Sequence, residues 1–139
     1  MKSEYLFKGK IKGASTGYKE LDWAIGNLVV EQSTGRHYIV DLSHFDDITK
    51  LHEVMIEVEA ETVSRCVGIC DKNSERMWEN DVVLVRGDEE PALIEWNEDD
   101  AEWCMTQSGS VMYDFENCWA CDLEVIGNRF DNPELLRGL

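Results

Sequence analysis

Five cysteines, three histidines and two short acidic runs are the residues of this chain best suited to chemistry, and their spacing limits what each could do. Cys66-Val67-Gly68-Ile69-Cys70 and Cys118-Trp119-Ala120-Cys121 bring thiols close in sequence, and paired thiolates are what a tetrahedral zinc site draws on. The strand period works against both pairs. Residues three apart in a strand point to opposite faces, so Cys118 and Cys121 diverge. Cys66 and Cys70 share a face, but four residues of extended chain hold their sulfurs too far apart to chelate. A bulge or turn could rescue either pair; buried free thiols are the plainer reading. His37, His44 and His52 show no repeated ligand spacing and adjoin no nucleophile motif, as expected of surface or half-buried histidines. Asp88-Glu89-Glu90 and Glu98-Asp99-Asp100 could offer oxygens to a hard cation, yet neither has the ordered spacing of a calcium loop, and solvated turns explain both. There is no G-x-S-x-G, no phosphate-cradling glycine loop and no Walker-type lysine. The expectation is a protein that is not an enzyme, with no catalytic residue, no metal and no cofactor.

Tryptophan points to binding instead. An exposed aromatic often marks an interface, and the chain has five tryptophans. Trp23 and Trp119 fall on apolar parities and are expected in the core. Trp78, Trp96 and Trp103 are the candidate partner-binding aromatics, with Glu98, Asp99 and Asp100 as an acidic group beside two of them.

The elements that must position these residues read as strands. Glu20 to Val30 places Leu21, Trp23 and Ile25 on one parity, and His37 to Leu42 resumes the alternation after the Ser33-Thr34-Gly35-Arg36 turn, which predicts a hairpin. Ser43 to Leu51 is either a short helical turn capped by Ser43 or a loop. Glu53 to Thr62 alternates Val54, Ile56, Val58 and Ala60 with glutamates, as a strand with one solvated face would. Arg65 to Ile69 and Met77 to Arg86 flank the turn Asp71-Lys72-Asn73-Ser74, and the apolar run Val82 to Val85 predicts a central, buried strand. Ala92 to Trp96 and Ala101 to Met105 form a second hairpin across Asn97 to Asp100, which would set Trp96 opposite Trp103. Val111, Tyr113 and Phe115 alternate again, as do Trp119 to Val125. Asn132 and Pro133 then start a helical turn, as N-cap and first helical position. Short strands with almost no helical periodicity predict an all-β fold. The expected form is a small, partly open SH3-like barrel with N- and C-terminal additions and a short C-terminal helical turn.

At 139 residues the chain suits a single domain spanning 1–139. Its formal net charge of -16 is uneven. Residues 1–40 hold six Lys/Arg and four Asp/Glu, net +2, whereas residues 41–139 hold seven and twenty-five, net -18. The bulk of the protein should repel nucleic acid, and no direct nucleic-acid partner is expected. An odd number of cysteines, without a signal-like apolar run after Met1, argues for free thiols in a reducing cytoplasm. No segment approaches the ~18 apolar residues of a membrane span, so no membrane partner is expected.

The stretch Asp122 to Leu136, D-L-E-V-I-G-N-R-F-D-N-P-E-L-L, carries the most specific wording in the chain. Together with Gly68-Ile69-Cys70-Asp71-Lys72-Asn73 and Trp78-Glu79-Asn80-Asp81-Val82-Val83, it resembles the YopX family of small phage and prophage proteins. The family's F-R-G-K-like opening is matched by Phe7-Lys8-Gly9-Lys10, and its next strand by Glu20 through Val29. Its T-V-G-Q-Y-T-G-L-K-D-K-N-G-like block corresponds to Thr62 through Ser74, and its I-Y-E-G-D-I-V-like strand to Met77 through Val83, so the likeness covers nearly the whole chain. Ser74 and Asn80 stand where the family tends to have glycine. Asn tolerates the left-handed region easily and Ser less well. The family has no settled molecular function, so the resemblance implies a source and a fold and supplies no site residues. With that source, the missing catalytic motifs and the free thiols taken together, the expectation is a non-catalytic accessory protein of a phage or prophage in the cytoplasm of a bacterial host that binds another macromolecule, copies of itself included. Two alternatives remain open: an acidic mimic of nucleic acid that occupies a host DNA-binding protein, and a small metal-dependent enzyme.

Overall fold

A computed structural model of the chain describes residues 6–13, 22–41, 47–115 and 120–136. Among the described residues it is all-β, with eleven strands in two antiparallel sheets and short 3-10 turns in place of helices. The chain divides into two compact units, Met1–Arg65 and Cys66–Leu139.

In the first unit, β1 (Phe7–Lys10), β2 (Trp23–Val30), β3 (His37–Val40) and β4 (Ile56–Val58) run in the order β4-β3-β2-β1, and β1 continues onto the first residues of β5 (Ser64–Cys70). The expected β2–β3 hairpin is present, closed around Gly35 at φ 75. Its inner face is the opposite of the one the alternation predicts. Ala24 and Gly26 are buried, Ile25 is 48% exposed, and Trp23 is half-buried under the Lys8 ammonium, 4.6 Å from the ring centroid. Backbone approach is the reason. A Cβ added at Gly26 would lie 2.4 Å from the Val40 carbonyl oxygen, so β2 and β3 pack too closely there for any larger residue and the bulky parity is turned outward. Ala24, Ile39 and Val58 form the core of this unit, with Phe7, Ile11, Leu28 and Val63 against it.

The segment from Glu53 to Thr62 is also shorter as a strand than its pattern predicts. Only Ile56–Val58 pairs with β3, between 3-10 turns at Ile48–Glu53 and Ala60–Thr62. Asp47, four positions after the expected cap, accepts the Thr49 N–H and caps the first turn; Ser43 lies outside the described residues. Thr62 Oγ1 accepts the Lys10 N–H at 2.9 Å and donates to the Glu59 carbonyl. A single antiparallel bridge, Ile11 to Val58, brings β4 back beside the end of β1. One bridge is not a ladder, and both sheets remain open in strand order, so closure into an SH3-like barrel is not found.

In the second unit, the rest of β5 pairs with β6 (Arg76–Trp78), while β7 (Asp81–Val85), β8 (Ala92–Asn97), β9 (Glu102–Gln107), β10 (Ser110–Asp114) and β11 (Leu123–Asn128) form a sheet in the order β10-β9-β8-β7-β11. Met77, Val83, Val85, Ala92, Ile94, Met105 and Leu123 make its core. The run Val82 to Val85 is the buried strand expected. The strand predicted over Met77 to Arg86 is instead broken in two at Asn80, whose φ of 74 turns the chain while the Asp81 carboxylate accepts the Trp78 N–H at 2.9 Å. Pro133–Leu136 forms the expected C-terminal helical turn. The Asn132 side chain does not cap it, but accepts the Asn128 N–H at 3.2 Å.

Asp71 is a heavily engaged carboxylate of this unit. Its Oδ1 accepts the N–H groups of Asn73 and Glu75, both at 2.9 Å, and its Oδ2 accepts that of Val125 in β11 at 2.8 Å. Lys72 N donates to the Leu123 carbonyl, so the β5–β6 turn is stitched to β11 twice. Burial disfavours the charge, yet the three N–H bonds, with the nearby Lys72 ammonium, outweigh it and hold the carboxyl below the ordinary aspartate range. Ser74, closing this turn through its N–H to the Asp71 carbonyl, sits at φ 65. Both positions where Ser and Asn replace the glycine of the resembled pattern are therefore left-handed.

Asp71→Asn should destabilise the protein by about 2–3 kcal/mol at pH 7, because an amide N–H would face one of the three backbone donors. The folded pKa lies below the unfolded value of about 3.9, so this contribution is complete above the unfolded value and is lost as pH falls through the folded one. Urea melts of parent and variant should therefore converge as pH falls through the lowered, folded-state pKa. Ser74→Gly should act in the opposite direction and stabilise by about 1 kcal/mol, by removing a left-handed non-glycine residue.

Candidate functional site: an aromatic groove on an acidic hairpin

β8 and β9 bring together five of the six candidate partner-binding residues. Trp96 pairs with Trp103 across the strands, as the sequence predicts, with centroids 5.1 Å apart and rings at 76° in an edge-to-face arrangement. The loop between them is shaped by Asn97, whose Oδ1 accepts the Asp99 and Asp100 N–H groups and whose Nδ2 donates to Asp100 Oδ2. Ala101 at φ 51 completes the turn. Glu98, Asp99 and Asp100 are thus presented on an ordered tip, all exposed.

Beside the tryptophan pair lies a cleft of about 390 Å³ lined by Val67, Ile69, Trp96, Ala101, Glu102, Trp103 and Phe115. Trp103 and Phe115 also rest on the core of the unit, which fixes the floor, while Ile69 is 39% exposed on β5. An apolar groove with a single carboxylate in its lining suits it to hold a side chain rather than to transfer a proton.

The sixth candidate is not at this surface. Trp78 is 6% exposed on β6, with the Arg76 guanidinium 5.9 Å from its ring centroid, because the break at Asn80 sends β6 inward. Trp23 is half-buried, and Trp119 and Cys118 lie outside the described residues.

The chemical candidates are divided by the fold. Cys66 is buried and Cys70 exposed, since a bulge with Gly68 at φ 102 shifts the register between them and breaks the shared parity the spacing implied. Burial and the surrounding carboxylates Glu95, Glu102, Asp100 and Asp114 push the Cys104 thiol up, away from the reactive thiolate. His37 Nδ1 donates to the Gly35 carbonyl at 2.8 Å, and His44 lies outside the described residues. No group of three or more His, Cys, Asp or Glu side chains is arranged to hold a metal among the described residues.

Asp88 has a role that its acidic run did not reveal. It accepts the Tyr113 hydroxyl at 2.5 Å, the Gln107 side-chain N–H at 3.0 Å and the Glu90 N–H at 2.9 Å, which latches the β7–β8 connection to β9 and β10. The Tyr113 hydroxyl, then the Glu90 and Gln107 donors, keep its carboxyl below the ordinary range. Asp71 and Asp88 could have been picked out as short-range turn formers, by an aspartate two to four residues before a turn N–H, whereas Asp81 accepts from Trp78, three residues before it. Their long-range partners Val125, Gln107 and Tyr113 carry no such signal.

The two tryptophans should separate on truncation. Trp103→Ala should cost about 2–4 kcal/mol in chemical denaturation, since it removes part of the core's cover. Trp96→Ala should cost about 1 kcal/mol, near the worth of one aromatic pair, and leave the far-ultraviolet spectrum unchanged.

No helix among the described residues is long and apolar enough to cross a membrane. A search of curated proteins found no match. The family model described as YopX protein matches residues 20–137, which takes in the aromatic groove, the Asp71 turn and the Gly127-Asn128 turn alike. The chain belongs to the YopX protein family.

Proposed function

We propose that this protein is a non-catalytic accessory protein of a phage or prophage, working in the cytoplasm of its bacterial host by holding a protein partner against the β8–β9 hairpin. The observation that carries this reading is the groove itself: an edge-to-face tryptophan pair on a hairpin, floored by the core, with Glu102 in its lining and the exposed carboxylates of Glu98, Asp99 and Asp100 on the tip of the same hairpin. Paired aromatics of this kind supply contact area at little cost in side-chain entropy. Family membership supports the phage-type source, and the engagement of Asp71, Asp81 and Asp88 in turns removes acidic residues that a metal-dependent reaction would otherwise recruit.

The charge supports a second reading. Net -18 over residues 41–139 suits a mimic of nucleic acid on a host DNA-binding protein. Salt separates the two readings, because screening shortens from ~10 Å at 0.1 M to ~3 Å at 1 M. In affinity capture from lysogenic cells, parent protein and Trp96→Ala would be compared at both salt concentrations. A partner retained in part at 1 M salt by the parent and lost with the variant is the expected result. A partner released by salt and indifferent to Trp96→Ala would point to the mimic instead.

A further inference from the structure

Resting on the reading of the hairpin groove as a binding site, we infer that its occupant is an extended basic segment of a protein. One aliphatic or aromatic side chain seats against Trp96, Ile69 and Phe115, and flanking Lys or Arg residues face Glu98, Asp99 and Glu102. Size sets the first half of this assignment. A cleft of about 390 Å³ holds one or two side chains, not a packed helix face.

Charge sets the second half. From Ala92 to Gln107 the hairpin carries Glu95, Glu98, Asp99, Asp100 and Glu102 and no Lys, Arg or His. The unit around it, residues 66–139, holds five Lys/Arg and eighteen Asp/Glu, net -13. Such a surface steers cations towards the groove and repels phosphate, so a nucleic-acid strand or an anionic membrane is disfavoured there. A second copy of the chain is disfavoured on the same ground, because it would bring an identical acidic tip against the first.

The remaining surfaces carry less. A cleft lined by Lys72, Arg86, Asp122 and Glu124 has its cations already paired with its carboxylates, at 3.2 Å for Lys72–Glu124 and 3.6 Å for Arg86–Asp122. The cleft by Val29, Glu31, Tyr38, His52 and Met55 in the first unit has no charge pattern that names an occupant.

The test uses the full chain and three fluorescein-labelled nonapeptides read by anisotropy. The first alternates lysine with leucine around a central phenylalanine, the second replaces each lysine by glutamate, and the third replaces the phenylalanine and leucines by serine. The first should bind, the second and third at least about tenfold more weakly. Combining Glu98→Gln, Asp99→Asn and Glu102→Gln should weaken the first peptide by about tenfold while leaving the fold intact. Trp96→Ala, and independently the surface change Ile69→Ser, should abolish saturable binding. If lysine and glutamate peptides bind equally, the basic occupant is overturned while the groove stands as an apolar site. If the lysine peptide binds Trp96→Ala and Ile69→Ser as well as it binds the parent, it rests on acidic surface elsewhere, and both the occupant and the site are overturned. Absence of binding by all three peptides overturns the occupant, and the capture experiment above then judges the groove by itself.

Discussion

The carboxylate of Asp71 is the constraint on which the second unit depends. A turn leaves backbone N–H groups without partners, and a buried strand end does the same; here one anion accepts from both. Placing that anion in a buried position is unfavourable, and three short N–H bonds are what make it tolerable. The result is a fixed distance between the β5–β6 turn and β11. At its far end β11 is held again, where Arg129 N donates to the Asn80 carbonyl and the Arg129 guanidinium reaches Asn80 Oδ1 at 3.3 Å. β11 is thus clamped between two turns, and β7 is paired along its length.

That clamp explains what the recognisable wording of the chain encodes. Asp71-Lys72 and Asn80 are far apart in sequence and each is hydrogen-bonded to β11 or the turn after it, the first to Leu123 and Val125 and the second to Arg129, and that turn is shaped by Asn128 Oδ1 accepting the Phe130 and Asp131 N–H groups. Gly127 belongs to it for steric reasons, since an added Cβ would lie 2.5 Å from Asn132 Oδ1. These residues are used up in holding strands. The tryptophans of the groove stand on the neighbouring hairpin, outside that wording, while its Val67 and Ile69 wall belongs to the β5 block that carries it.

Much of the fold was readable because the apolar runs of β7, β8 and β9 mark strands that are buried, where Val83, Ile94 and Met105 are fully buried and the pair Trp96–Trp103 falls in register. Reading failed where backbone geometry outranked side-chain pattern. At β2 the close approach of Gly26 to Val40 selects the small parity for the interior, and at Asn80 a left-handed residue splits what periodicity presents as one strand. Between Cys66 and Cys70 the bulge does the same to a shared face. The candidate site was legible in its residues but not in its walls: the hairpin announces Trp96, Trp103 and the acidic tip, whereas Val67, Ile69 and Phe115 reach the cleft only through pairings distant in sequence.

β10 forms one margin of the five-stranded sheet, and it carries Val111 and Met112, each 53% exposed. A margin that is apolar and flat invites end-on growth of the sheet by neighbouring molecules. Here the ladder to β9 breaks register between Val111 and Tyr113, so the strand bends at the place where its apolar residues are displayed. The irregularity denies an incoming strand a straight template. Fibre-like self-assembly through this margin is thereby opposed by a misfit in the protein's own pairing.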